Sequence, residues 1–242
     1  MKKLLLIIAI CFGCSFALAA QNVWKSIEVP GSPLVVGANG YFYTYSTSYG
    51  LPCLCRSIDE GMTWQPVFND LDFFYGDAQM AVSNQGRVFV VPYMGVQVYY
   101  SDDDGINWNT TTSFPACLLE GMYAHSNDTL LIWGDNTSCK ESLHFTLDGG
   151  LTWNSADITL WSGSHQIGDV IVNEAGDVFV SFWSNNAQND GIYRSDLSDM
   201  QHWELVAFQN ISIKDMEFDS VGNVMAVGYA GEYNGYQHVP GF

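Results

Sequence analysis

The sequence predicts an all-β protein, a β-propeller of four-stranded blades with five blades in the ring. Three observations support this fold class. A turn motif recurs at intervals of about forty residues, strands with period-two alternation precede it, and no segment has sustained helical periodicity. A repeat of this length fits one propeller blade.

The recurring motif, which we call the repeat turn, has the form Ser/Thr-x-Asp-x-Gly-x-x-Trp. Its Asp can accept hydrogen bonds from N–H groups of the turn, and its Gly permits a positive φ. Its Trp begins the next strand, where the ring can pack between sheets. The three complete copies contain Asp59, Gly61 and Trp64; Asp103, Gly105 and Trp108; and Asp148, Gly150 and Trp153.

A fourth copy of the repeat turn, residues 195–203, is one residue longer and lacks the glycine. At these four segments the chain resembles the Asp-box, or BNR, repeat of sialidase-like propellers. The resemblance implies the fold and a scaffold role for the turns. It implies no reaction by itself, because one fold carries many functions.

Five copies of a strand–turn–strand pattern are spread along the chain, over residues 35–43, 81–90, 122–133, 170–180 and 216–227. The fifth copy reaches Phe242 without a repeat turn, whereas residues 23–29 look like a strand that follows one. We expect this N-terminal strand to complete the last blade and close the ring, which also protects two sheet edges. The alternative is a truncated fragment of a larger propeller.

The N-terminus has the layout of a secretory signal peptide. Lys2 and Lys3 precede an apolar run, and Ala17-Leu18-Ala19 forms a small-residue cleavage site. The apolar run is too short to favour a transmembrane anchor. We therefore expect a signal peptide over residues 1–20, one propeller domain over residues 21–242, and a secreted, periplasmic or cell-surface location of bacterial type.

The charge balance restricts the partners. The chain has 8 Lys and Arg against 26 Asp and Glu, a formal net charge of −18. So few cations cannot neutralise a phosphate backbone, which excludes nucleic acid, and an anionic membrane surface would repel the chain. A glycan or an extracellular protein is the expected partner, and no membrane insertion is expected after signal cleavage. The acid excess also favours solubility.

Four cysteines remain after leader removal, and an even number in an exported chain permits disulfides. Cys117 and Cys139 flank the first two strands of one repeat and are the favoured pair, whereas Cys53 and Cys55 lie two apart on a strand. No Cys-x-x-Cys pair indicates zinc. The acidic run 102–104 lacks the spacing of a calcium loop, so we expect no metal or cofactor, with calcium as the remaining alternative.

In propellers of the resembled family, ligand sites lie on the face opposite the repeat turns. Aligning the strand–turn–strand copies places Gln79, Asp169 and Asp215 at the start of inner strands, with Lys214 beside them. Aromatic residues of the connecting loops could stack on sugars, or could simply pack between blades. The predicted binding residues are Asp77, Gln79, Glu120, Asp169, Asp215, Phe74, Tyr93, Trp161 and Trp183.

Catalysis is not expected from these residues. The sialidase resemblance would imply three converging arginines, but Arg56, Arg87 and Arg194 all lie near the repeat turns, and carboxylate recognition needs such groups together. The alternative is a glycoside hydrolase that uses Asp169 and Asp215 as its paired carboxylates. The preferred interpretation is a secreted, non-catalytic binding module.

Overall fold

The computed structural model describes residues 4–6, 25–46, 53–68, 78–92, 95–115, 118–135, 141–158, 166–183 and 189–230. These residues form β-strands and turns, and none of them is helical, which confirms the predicted all-β class. Within these ranges, therefore, no helix is long and apolar enough to cross a membrane. The chain divides into two compact units, residues 1–77 and 78–242.

The first unit contains a two-stranded and a four-stranded antiparallel sheet. The two-stranded sheet pairs β1 (Leu4–Leu6) with β2 (Lys25–Ile27). The four-stranded sheet, sheet 1, contains β3 (Leu34–Val36), β4 (Phe42–Ser46), β5 (Cys53–Ser57) and β6 (Gln65–Phe68) in chain order.

The second unit contains three four-stranded antiparallel meanders and one strand pair. Sheet 2 is β7 (Gln79–Val82), β8 (Val88–Val91), β9 (Tyr99–Ser101) and β10 (Asn109–Thr110). Sheet 3 is β11 (Leu118–Ala124), β12 (Leu130–Asp135), β13 (Glu141–Thr146) and β14 (Asn154–Ser155). Sheet 4 is β15 (Gln166–Val172), β16 (Asp177–Trp183), β17 (Gly191–Asp196) and β18 (Glu204–Ala207). Sheet 5 is the pair β19 (Ile211–Phe218) and β20 (Val224–Ala230).

The repeated four-stranded sheet is thus confirmed, and each predicted strand–turn–strand copy supplies the first two strands of a sheet. The number of blades and the closure of the ring stay predictions. Among the described residues, β2 pairs with β1, and sheet 5 has two strands. Residues 231–242, which follow β20, lie outside the described residues.

Neighbouring sheets of the second unit bury their apolar faces against each other. Both faces of the inner strands are covered, so short strands such as β8 are continuously apolar and fully buried. Removing this apolar surface from water is the main source of stability. Residues of adjacent sheets share one cluster at each junction: Phe89 with Ile132, Leu143 with Phe182, and Ile171 with Met216.

The three complete repeat turns have the same hydrogen bonds. In the third, Asp148 accepts from the Thr152 N–H at 2.9 Å, the Thr152 hydroxyl at 2.6 Å and the Thr146 hydroxyl at 2.8 Å. In the second, the Asn107 amide replaces the threonine hydroxyl, at 2.6 Å from Asp103. Donation by the threonine side chain and N–H lowers the pKa of Asp59 and Asp148 to about 2. The turns are therefore built around an ionised carboxylate.

The tryptophans of the repeat turns are only half-buried, so they bury less surface between sheets than the sequence predicts. Their indole N–H groups are bonded: Trp108 donates to its own turn at Gly105 O, 3.0 Å, and Trp153 to Thr112 O, 3.2 Å. The Trp153 ring also packs against Phe114 at 5.4 Å between centroids. This tryptophan therefore joins sheet 3 to the segment that leaves sheet 2.

The segment that follows the last, outer strand of one sheet contacts the glycine of a repeat turn in the next sheet. After β10, the Thr112 N–H donates to Gly150 O at 3.0 Å, and a Cβ on Gly150 would lie 2.2 Å from Thr111 Cγ2. In the first unit, a Cβ on Gly61 would lie 2.9 Å from Ile27 Cδ1, and Trp64 donates to Glu28 O at 3.2 Å. Residues 27–28 therefore contact the first repeat turn as residues 111–112 contact the third.

The degenerate fourth turn keeps the backbone shape without the glycine. Met200 occupies the glycine position with φ +53°, and its buried side chain belongs to the cluster shared by sheets 3 and 4. The Asp157 N–H donates to Met200 O at 3.0 Å, which is the same contact that Thr112 makes with Gly150. Apolar burial here offsets the cost of a left-handed residue that has a side chain.

Candidate functional site

In the second unit, the first strand of each sheet, which we call its inner strand, begins at the end opposite the repeat turns. In sheet 4, Asp177 pairs with Asp196, so the turn 173–176 and the degenerate repeat turn lie at one end. At the other end, Gln166 pairs with Trp183. The alignment predicted this separation of scaffold turns from candidate site residues.

A β-bulge interrupts the first strand of sheets 3, 4 and 5 at the same position. The pairing skips Glu120, Gly168 and Lys214, and it resumes at the residue that follows each of them. A bulge disrupts the ladder and re-aims nearby side chains, and bulges are frequent beside functional sites. We call the end of the sheets that carries these three bulges, with the residues beside them, the bulge end. The residues that follow the bulges are Gly121, Asp169 and Asp215.

Asp169 connects sheets 4 and 5 at the bulge end. Its Oδ2 accepts the Met216 N–H of β19 at 2.9 Å, and its Oδ1 accepts the Val170 N–H at 2.8 Å. The charge of Asp215, on β19, acts on the same carboxyl group. Burial, together with the charge of Asp215, raises the pKa of Asp169 to about 7, against the opposing effect of the two N–H donors. Asp169 therefore keeps its proton in mildly acidic solution.

The surroundings of Asp169 do not fit the hydrolase alternative. A carboxyl group of a glycoside hydrolase must present its oxygens to the glycosidic bond or to a water. Both oxygens of Asp169 instead accept backbone N–H groups, one of them from β19. The arrangement acts as a clasp between strands.

Lys214 lies over the ring of Trp183, which ends β16. Burial lowers the pKa of Lys214 to about 8, while the charges of Asp190 and Glu120 act in the opposite direction. Asp190 is fully buried, and its carboxylate accepts the Ser212 hydroxyl. Glu120 and Lys214 are the skipped residues of sheets 3 and 5. The skipped residue of sheet 4, between them in chain order, is Gly168, which adds no side chain. The Lys214 charge therefore lies beside carboxylates from other segments of the second unit.

The other predicted binding residues fall into two groups. Gln79 begins β7 and is half-buried, and Glu120 and Asp215 are exposed. Trp183 is half-buried with one face covered by Lys214. Asp77, Phe74, Tyr93 and Trp161 lie outside the described residues, as do Cys117 and Cys139 of the predicted disulfide.

The arginines of the second unit do not reach the bulge end. Arg87 forms a bidentate ion pair with Asp102 at 2.6 and 3.0 Å and donates to Asn127 O at 2.7 Å, beside the second and third repeat turns. Arg194 pairs with Glu204 on an outer strand. In the part of the chain that the structure describes, no group of three or more His, Cys, Asp or Glu could hold a metal ion.

Sequence reasoning missed the bulges and the role of Lys214. Gly168 inside a strand pattern was the available signal, because an isolated strand glycine often marks a bulge. A Cβ at this position would lie 2.3 Å from Ile213 O and 2.8 Å from Ser181 Oγ. The glycine is therefore required by the close approach of β19.

Comparison with solved structures gives likenesses of fold at low sequence identity. YCF48 from Cyanidioschyzon merolae is 14% identical, with TM-score 0.58, over 85% of this chain and 68% of that one. A structure of YCF48 bound to D1 peptide is 15% identical, with TM-score 0.54, over 85% of this chain and 65% of that one. The GH74 enzyme of Niastella koreensis is 18% identical, with TM-score 0.59, over 87% of this chain and only 30% of that one.

These structures are β-propellers, and at such identities the likeness shows the fold alone. The shared architecture is a series of four-stranded antiparallel sheets. No protein-family model matches the chain, and no curated protein matches it significantly.

Proposed function

We propose that this chain is an exported, non-catalytic propeller of the Asp-box, sialidase-like kind that binds a cationic segment of an extracellular protein at its bulge end. The observation that carries the proposal is the excess of carboxylates there: Glu120 and Asp215 are exposed, and Lys214 lies near the charges of Asp190 and Glu120. The net charge of −18 attracts a cationic partner at long range. A leader with signal-peptide layout supports export.

A protein partner is favoured over a glycan because the one described aromatic of the predicted site, Trp183, has a face covered by Lys214. A sugar would need such a face for stacking. A propeller of similar fold, YCF48, has been solved with a bound D1 peptide, so this fold can present a peptide site. The engagement of both Asp169 oxygens by backbone N–H groups supports a role without turnover.

The proposal includes a ring of five blades that the N-terminal strand completes. Ile27 and Glu28 contact the first repeat turn as Thr111 and Thr112 contact the third. Because Thr111 and Thr112 directly follow the outer strand of sheet 2, Lys25 and Ser26 correspond to an outer strand of the sheet before sheet 1. In a closed five-bladed ring that sheet is the terminal one.

Closure can be tested by hydrogen exchange. We expect amides of residues 211–230 to exchange markedly faster in a chain that starts at residue 30 than in one that starts at Gln21, because the terminal sheet would lose a strand. Sheet 3 is the internal control and should keep its protection. Equal protection of residues 211–230 in the two chains would contradict closure.

The binding function can be tested with labelled peptides of equal length, one rich in Lys and Arg and one rich in Glu. The chain from Gln21 should bind the basic peptide, more tightly at low salt. The double variant Glu120→Gln/Asp215→Asn should weaken binding by about fivefold, since each exposed charge contributes about half a kcal/mol.

Glu174→Gln is the matched control for each single variant, Glu120→Gln and Asp215→Asn, since it also removes one charge and Glu174 is exposed in the turn 173–176 at the opposite end of sheet 4. It should leave the affinity nearly unchanged. An equal loss in this control would mean that binding follows net charge and not the bulge end. Binding on a glycan array without peptide binding would contradict the protein partner, and released sugar would contradict the non-catalytic role.

A further inference from the structure

Lys214 of β19 covers the ring of Trp183, the last residue of β16, and its charge lies near those of Asp190 and Glu120. Lys214 is also the residue that the strand pairing skips at the bulge of sheet 5. An aromatic face beside carboxylates is an environment in which proteins hold cationic side chains. The position of Lys214 therefore shows which kind of group this part of the bulge end accepts.

Lysine is not the cation that suits these surroundings best. Burial lowers the pKa of Lys214 to about 8 in spite of the carboxylate charges, because an ammonium group is compact and strongly hydrated and loses water there. A guanidinium group is more weakly hydrated, keeps its charge, stacks on an aromatic face and donates to carboxylates in pairs. An arginine side chain is therefore better suited than Lys214 to the face of Trp183.

The carboxylate of Asp190 requires that any group that replaces Lys214 be positively charged. Asp190 is fully buried, and it accepts the Ser212 hydroxyl. Removing a nearby opposite charge from a buried carboxylate is costly, so a neutral ligand that displaced Lys214 would deprive Asp190 of this cation. An arginine in the same place restores the positive charge. A sugar ring would gain the face of Trp183 but would not replace the charge.

We propose that the ring of Trp183 and the carboxylates of Asp190 and Glu120 form an arginine subsite, which Lys214 occupies in the free protein. This inference rests on the proposed function, because the arginine belongs to the cationic segment of the partner. On binding, the guanidinium group stacks on the Trp183 ring and the Lys214 side chain turns towards solvent. Lys214 is thus an internal competitor that sets the affinity and favours arginine over lysine in the partner.

Two peptides that differ only in having arginine or lysine at every basic position test the subsite on the chain from Gln21. The arginine peptide should bind about fivefold more tightly. Lys214→Ala should raise its affinity by about fivefold further, because the competing side chain is absent, and Trp183→Leu should remove the preference for arginine.

Arg194→Ala is the matched control for the loss of one cation, since Arg194 pairs with Glu204 on the outer strand β18. It should change the affinity by less than about twofold. Equal gains in Lys214→Ala and Arg194→Ala would overturn the subsite, because the gain would then follow net charge. Equal affinity of the unaltered chain for the two peptides would also overturn it, and that comparison needs no variant to fold.

The NMR signal of the Trp183 indole N–H distinguishes a failure of the subsite from a failure of the proposed function. This signal is assigned by its absence in Trp183→Phe. In Lys214→Ala, N-acetylarginine amide should shift the signal, and N-acetyllysine amide should shift it much less. Such a shift without peptide binding would support the subsite and contradict the protein partner. Peptide binding with no shift by the arginine derivative would overturn the subsite and leave the binding function in place.

Discussion

Replacing Gly150 with alanine should lower the free energy of unfolding by about 3 kcal/mol, and replacing Gly176 with alanine by about 1 kcal/mol. Both glycines have positive φ, +88° and +91°, so the added Cβ strains the backbone equally. The two positions differ in the atoms that would surround the added Cβ. A Cβ on Gly150 would lie 2.2 Å from Thr111 Cγ2, whereas nothing lies within 4 Å of one on Gly176.

Urea denaturation monitored by tryptophan fluorescence measures both losses under the same conditions. The difference between the two variants isolates the contact between the third repeat turn and the segment that leaves sheet 2. Similar losses in the two variants would contradict that contact and leave only the backbone cost.

The effect of Asp169→Asn on the free energy of unfolding should change sign between about pH 4.5 and pH 8. Asparagine can accept only one of the two N–H groups that Asp169 accepts, which costs about 1 kcal/mol near pH 4.5. The pKa of Asp169 is raised to about 7, so its stabilising contribution is complete below the unfolded pKa and is lost as pH rises through 7. Near pH 8 the parent must ionise a half-buried group, at a cost of about 2 kcal/mol that the variant avoids.

The expected result is a variant that is less stable than the parent near pH 4.5 and more stable near pH 8. Thermal unfolding of both proteins across this range provides the measurement. Glu174→Gln is the control for the loss of one negative charge from an acidic protein, and it should show no such crossover. A constant difference between Asp169→Asn and the parent would show that the carboxyl titrates normally.

The sequence was sufficient to predict the repeat turns, because their hydrogen bonds join residues at most four apart, such as Asp148 and Thr152. The inner strands and the positions of Asp169 and Asp215 also followed from the spacing of one repeat. The hydrogen bond from the Met216 N–H to Asp169 could not be predicted. It depends on bulges at Gly168 and Lys214 and on the approach of β19 to β15, which are contacts between distant parts of the chain.

Burial was harder to predict than topology. Trp64, Trp108 and Trp153 were expected to fill gaps between sheets, but each is only half-buried. Smaller residues on the strands fill those gaps instead, among them Leu143 and Val180. The covering of Trp183 by Lys214 is equally invisible in the sequence, because the two residues belong to different sheets.

The bulges at one register position of sheets 3, 4 and 5 have a consequence for sequence change. Side chains of a strand alternate between the two faces of the sheet, and an extra residue shifts this alternation by one position. The side chains before and after a bulge therefore follow opposite alternation patterns. The skipped residues Glu120 and Lys214 are thereby uncoupled from the apolar phase of Val170 and Met216 further along the strands. Substitutions at these skipped positions can change the surface charge of the bulge end while the packed part of the same strand keeps its composition.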